Sequence, residues 1–240
     1  MKAAHYALAL GLVAVLLLLV AGPGTRLEWW DFRTGFDLLR WAAYLGLTAT
    51  AIALLMLLWP RTRRGGVGTL LVASLIGLAV AFVPWNGMRQ ARQVPPIHDI
   101  STDTRDPPAF VAVLPLRADA TNPAAYGGPE IAQAQAEAYP DLRTLQLELP
   151  PQQAFERALA AARETGWEIV AAEPASGRIE ATATTLWFGF KDDVVIRIRP
   201  GANGSRIDVR SASRVGKGDA GANAERIRAY LERLGGSHTM

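Results

Sequence analysis

Three stretches within the first 85 residues leave this chain few ways to fold. Tyr6–Ala21, Trp41–Trp59 and Val67–Val83 are almost wholly apolar and contain no charged residue. Each is about long enough for a helix to cross roughly 30 Å of hydrocarbon. Lipid cannot satisfy bare peptide groups, so a spanning segment has to be helical. Trp29, Trp30, Trp41, Trp59 and Trp85 sit at or near the ends of the runs, where amphipathic rings favour the bilayer interface. The first run is preceded only by Lys2, and no A-x-A cleavage site follows before Gly22-Pro23-Gly24. That argues for a retained helix rather than a removed signal.

Charge then sets the orientation. Arg61, Arg63 and Arg64 crowd the link between the second and third runs with no acid beside them. Residues 22–40 instead balance three Arg with Glu28, Asp31 and Asp37. Positively charged short loops stay in the cytoplasm. The expectation is therefore a multi-pass inner-membrane protein with a cytoplasmic N-terminus, everything after Trp85 lying outside, which in a bacterium is the periplasm. Residues 86–240 carry eighteen Lys/Arg and nineteen Asp/Glu, a net charge of −1. So neutral a domain has no cationic surplus for a phosphate backbone, and nucleic acid is not an expected partner. The chain has no cysteine, which excludes thiol catalysis and cysteine-held metals.

The remainder divides into a proline-rich linker and irregular segment (86–128), an α+β domain (129–235) and a tail (236–240), with the terminal "GGSHTM" left out of the fold. Residues 130–139 form a short amphipathic helix ended by Pro140. Leu145, Leu147 and Leu149 alternate as a strand. Pro150-Pro151 opens a helix whose buried face is Phe155, Ala158, Leu159 and Ala162, stopped at Gly166. Strands follow at 167–172, 178–187, 193–199 and 206–214, and a last helix runs from near Asp219 to Leu234. The short links between strands require antiparallel hairpins. A tight turn at 201–204 places Arg199 opposite Arg206, Arg197 opposite Asp208 and Val195 opposite Arg210. On the other face Ile198 meets Ile207, Ile196 meets Val209, Val194 meets Ser211 and Asp192 meets Ser213. One face is apolar and one charged, the pattern of an antiparallel sheet with helices packed on its apolar side.

Gly216-Lys-Gly218-Asp-Ala-Gly221 spells G-x-G-x-x-G between the last strand and the last helix. A dinucleotide site needs a parallel strand after the helix, and here the strands are hairpin-linked. Asp219 would also repel a phosphate at the helix start, where it is a natural N-cap. No nucleotide and no other cofactor is expected. What remains is a polar corner in which Asp192, Ser211 and Ser213 point inward beside the glycine turn. It is either a hydrogen-bonded brace or a ligand site completed by Arg210, Arg214, Asp219, Asn223 and Arg226. His98, Asp99 and Asp103 form a secondary candidate, but one histidine and two carboxylates on a linker make a poor metal site. No metal is expected.

The segments "IHDISTD", "YGGPE", "AYPDL", "GWEIVA", "GRIEATATTLWFGFKDDVVIRIR" and "DVRSASRVGKGDAGANAERIRAYL" resemble the bacterial family catalogued as domain of unknown function 1499. The resemblance runs from about His98 to Leu234, and its last motif is long enough to be specific. Many relatives begin with a cysteine-containing segment that this chain replaces with "IHDISTD", so no role of that cysteine transfers. The resemblance implies no established activity, and membrane-anchored or exported members. It marks Asp192, Asp193, Asp208, Arg210, Ser211, Ser213, Arg214, Gly216, Asp219, Gly221, Asn223 and Arg226 without saying whether they bind or brace. The expected function is an envelope protein: membrane helices in the lipid bilayer holding a periplasmic module that binds other envelope proteins or a small envelope ligand. The alternative is an enzyme acting on an envelope component through Asp192, Ser211, Ser213 and Asp219.

Overall fold

The computed structural model describes residues 2–60 and 66–236. Arg61, Arg63 and Arg64, on which the orientation argument rests, and the end of the "GGSHTM" tail lie outside the described residues. The chain forms two compact units: Met1–Gln90 with Leu186–Gly189, and Ala91–Thr185 with Phe190–Met240.

The first unit contains helices α1 (Lys2–Arg26), α2 (Phe32–Leu58) and α3 (Val67–Ala91). All three are long and apolar enough to cross a membrane. Their packing inverts that of a soluble bundle. Small residues are buried, among them Ala14, Ala42, Ala49, Ala53 and Ala73, while Leu16, Leu19, Leu55, Leu58 and Leu75 face outward. Lipid tails are as apolar as leucine, so association relies on close backbone approach at small residues. Gly46 and Gly77 supply that approach: a Cβ on Gly46 would stand 2.7 Å from the Gly77 carbonyl oxygen. Beside them Thr50 Oγ1 donates to the Ser74 carbonyl at 3.1 Å. Asp31 caps α2 by accepting from the Arg33 and Thr34 amides at 2.7 and 3.2 Å.

The second unit is a six-stranded antiparallel sheet with helices on one face. Its elements are β1 (Asp99–Ser101), α4 (Pro129–Ala138), β2 (Leu145–Leu147), α5 (Pro151–Glu164), β3 (Glu168–Glu173), β4 (Arg178–Thr184), β5 (Lys191–Gly201), β6 (Gly204–Ser213) and α6 (Ala222–Gly236). The strand order is β1-β6-β5-β4-β3, and β2 also pairs with β6. The hairpin register follows the alternation of the sequence, with Arg199 opposite Arg206, Arg197 opposite Asp208, Val194 opposite Ser211 and Asp192 opposite Ser213. β4 is shorter than the expected 178–187. The chain turns at Thr185, whose amide and hydroxyl bond Phe190, and Gly189 supplies the left-handed residue with φ 71°.

The core lies between the sheet and helices α5 and α6. Ile179, Ala183, Val194, Ile196, Ile198, Ile207 and Val209 meet Phe155, Ala158, Ala162, Ile227, Tyr230 and Leu234. Trp167 stacks on Tyr230 at 5.1 Å, and the Tyr230 hydroxyl donates to the Ala158 carbonyl at 2.8 Å. Burial drives the Tyr230 phenol far above its ordinary range.

Two features lie inside the stretch expected to be irregular. Residues 99–101 are a sheet strand, β1, paired with Arg210–Ala212. The segment that follows packs on the charged face of the sheet, so that face is largely covered rather than solvated. Phe110 and Val113 bury against Val195 and Ala212, and the Val111 and Val113 amides donate to Glu180 at 3.0–3.1 Å. An irregular segment can lie there because side chains of the sheet satisfy its backbone.

Candidate functional site

Alternation along β6 divides the expected site residues into two groups. Ser211 and Ser213 point to the helix side with Asp192, whereas Arg210 points to the opposite face. The structure therefore does not bring Arg210 and Arg214 to the corner. The corner consists of Asp192, Ser211, Ser213, Asn223, Arg226 and the Asp219 cap.

Asn223 and Arg226, in the first turns of α6, hold it together. Asn223 Oδ1 accepts from the Ser211 hydroxyl and from Arg226 Nη1, both at 2.6 Å. Its Nδ2 donates to Ser213 Oγ at 2.9 Å and to the His98 carbonyl at 3.0 Å. Arg226 also reaches Ser211 Oγ at 3.1 Å and Asp192 Oδ2 at 2.6 Å. Asp192, Ser211, Ser213 and Asn223 are buried, so these bonds replace the water they gave up.

The glycine turn is a packing device. Asp219 accepts from the Gly221 amide at 2.8 Å and the Asn223 amide at 2.9 Å, occupying the helix start where an anion would bind. Burial raises its carboxyl above the ordinary value, those amides oppose the shift, and the Asp192 charge adds to it. Gly221 has φ 88°, a conformation glycine adopts without cost. A Cβ on Gly218 would stand 2.9 Å from Pro96 Cα, so glycine there admits the segment leading into β1.

The opposite face carries a layer of buried ion pairs. Arg210 forks onto Asp99 at 2.7 and 2.8 Å, its guanidinium 4.6 Å from the Phe110 ring centre and 5.4 Å from that of Tyr126. Burial, helped by the Asp99 charge and opposed by Arg210, pushes the Tyr126 phenol up to about 12. Asp193 takes Arg117 at 2.7 Å and Arg214 at 2.7 and 2.9 Å. Asp208 takes Arg197 at 3.0 Å and the Thr144 hydroxyl at 2.5 Å. Glu180 lies 3.0 Å from Arg178 Nε.

The secondary candidates diverge. Asp99 belongs to Arg210, Asp103 lies 3.4 Å from Arg197, and His98 Nδ1 stands 3.4 Å from the Lys217 carbonyl oxygen. Among the described residues no three His, Cys, Asp or Glu side chains are grouped to hold a metal ion.

Arg117 is the residue that sequence reasoning missed. Its side chain is 3% exposed, and it also donates to the Ala212 and Asn122 carbonyls, each at 3.2 Å. The sequence offered one sign of it: Glu180, Asp193, Asp208 and Arg210 share a sheet face on central strands, where unpaired charge would be costly.

The corner has hydroxyls, carboxylates and guanidiniums, each engaged with another group of the same domain. A serine nucleophile would need a neighbouring base, and Ser211 instead donates to an amide oxygen. No curated protein matches the chain. Residues 99–234, which span β1, the ion layer and the corner, match the family model described as protein of unknown function (DUF1499). With more than half of its length matched, the chain belongs to that family.

Proposed function

We propose that this is a bacterial envelope protein, anchored in the inner membrane by α1–α3, whose second unit is a periplasmic binding and interaction module serving envelope maintenance. The observation that carries the reading is the saturation of the corner. Asp192, Ser211, Ser213, Asn223 and Arg226 bond one another and are at most partly exposed. They fix α6 to the sheet and offer no free reactive group, which favours a brace over an active site. Orientation rests on Arg61, Arg63 and Arg64.

Two experiments test it. A reporter active only in the periplasm, fused after Leu234, is expected to be active, and a silent fusion would reverse the topology. In Ser213→Ala and Asp219→Asn chains the principal effect is a lower melting temperature. Loss of a cellular phenotype with folding intact would instead make the corner a site, as the enzyme reading requires.

A further inference from the structure

Most arginines around the sheet face are held closely by carboxylates; Arg105 and Arg143 are not, and Arg206 is held only loosely. Arg105 follows β1, Arg143 precedes β2 and Arg206 lies on β6; together they line an open groove of about 250 Å³. Among the described residues Arg143 uses Nε alone, donating to the Pro140 carbonyl at 3.0 Å, which leaves both terminal nitrogens available. The nearest carboxylate to Arg206 is Asp103 at 3.9 Å, and the Arg206 side chain is 44% exposed. The Arg105 side chain has no hydrogen bond or ion pair among the described residues. By contrast Arg197, Arg199 and Arg210 all hold acids at 3.4 Å or less.

The groove is also built so that its acids do not neutralise it. Asp103 is the acid in the lining, and its carboxylate is largely occupied elsewhere: Oδ1 accepts from the Arg105 and Asp106 amides, and Oδ2 lies closer to Arg197, at 3.4 Å, than to Arg206, at 3.9 Å. Beneath it Asp208 takes the hydroxyls of Thr144 and Thr102, at 2.5 and 3.4 Å, and Arg197. With three arginines against one acid, the lining is cationic on a domain that is otherwise close to neutral.

We propose that this groove binds a phosphate group. Arginines from three separate segments line one concavity, and the planar fork of a guanidinium matches the oxygens of a tetrahedral oxyanion. A phosphate spreads up to two negative charges over oxygens set in three dimensions, which suits arginines arriving from three segments better than a planar, singly charged carboxylate does. The Thr104 hydroxyl, which has no hydrogen bond among the described residues, lines the same groove and adds a donor. A second open groove of about 430 Å³ shares Arg206 and is lined by Gln146, Glu148 and Asn203. It gives the polar remainder of a phosphate ester a place to lie. The ester comes either from a soluble metabolite or from a phospholipid headgroup. This gives the binding reading above a ligand class, yet it concerns the purified chain alone and holds whichever side of the membrane the domain faces.

The test uses the full chain in nanodiscs of phosphatidylcholine, in phosphate-free buffer with ionic strength held by sodium chloride. Inorganic phosphate and glycerol phosphate are titrated by calorimetry. Retention of phosphatidylglycerol from mixed nanodiscs is read by native mass spectrometry. Saturable binding of the soluble probes points to a soluble ester, and selective retention of the lipid points to a headgroup. Either supports the proposal, provided that Arg143→Gln weakens it by about tenfold or more and Arg105→Gln/Arg143→Gln/Arg206→Gln abolishes it. Arg105 and Arg143 are exposed loop residues, so their single variants keep the test valid if the triple variant unfolds. No saturable binding of any probe, or equal binding by a folded variant lacking these arginines, overturns the proposal.

Discussion

Asp193→Asn is a direct test of the buried ion layer. The wild-type carboxylate is completely buried. One oxygen receives Arg117 at 2.7 Å and Arg214 at 2.9 Å, and the other receives Arg214 at 2.7 Å and the Thr182 hydroxyl at 2.8 Å. Asparagine keeps the shape, removes the charge and turns one acceptor into a donor aimed at other donors. Taking one partner from a buried pair costs about 3–5 kcal/mol, because the charge left behind stays desolvated. Here two guanidiniums are left. The Arg117 side chain, 3% exposed, has almost no route to water, while Arg214 at 14% has a partial one. A loss of about 4 kcal/mol is therefore expected. A domain of this size loses about 3–5 °C per kcal/mol, so its melting point should fall by about 12–20 °C.

To read the sheet by itself, the assay is hydrogen exchange of the full chain, resolved on peptides from β5 and β6. Asp141→Asn, which breaks an exposed pair with Arg228, serves as the control and should cost less than about 1 kcal/mol. If Asp193→Asn costs no more than that control, the two arginines have found other partners and the layer does not lock the fold. Replacing Arg117, Asp193 and Arg214 together with apolar residues should recover most of the loss, since no unpaired charge then remains.

Asn223→Ala deprives Ser211, Ser213, Arg226 and the His98 carbonyl of a partner at once and should destabilise the second unit by about 3 kcal/mol, measured by urea unfolding. Gly77→Val should lower thermal stability in detergent, because a Cβ there collides with the Gly46 carbonyl; Gly68→Val, with open space around it, should not. Asp219 titrates higher folded than unfolded, so its own contribution to stability falls as pH rises through about 4 and above. The melting temperature of Asp219→Asn relative to wild type should therefore improve from pH 3 to pH 6, and a constant difference would contradict the raised carboxyl.

The apolar half of this fold was legible and its ionic half was not, for physical reasons. A hairpin with a tight turn has one register that buries Ile196, Ile198, Ile207 and Val209 together, so the pairing of β5 with β6 follows from spacing. The same alternation placed Asp192, Ser211 and Ser213 at the helix side. β1 escaped because three residues set among prolines have no period to read. The covering of the charged face escaped because residues 102–128 bind through amides and single side chains, such as Val111 on Glu180, and not through an apolar stripe. Arg210 and Arg214 were grouped with the corner by nearness in sequence. Neighbouring strand residues point to opposite faces, and that separates Arg210 from the corner serines.

β6 pairs with β5 on one edge and with both β1 and β2 on the other, yet it is the last strand to be synthesised. Asp99 must wait 111 residues for Arg210 to leave the ribosome, and Leu145 waits for Ile207. β1 and β2 have no strand to pair with until β6 is made, whereas the covering segment can already meet Glu180 on β4 and Val195 on β5. Folding so dominated by distant contacts is slow. A sheet whose central strand emerges this late is still incomplete when the three long apolar helices ahead of it have already left the ribosome.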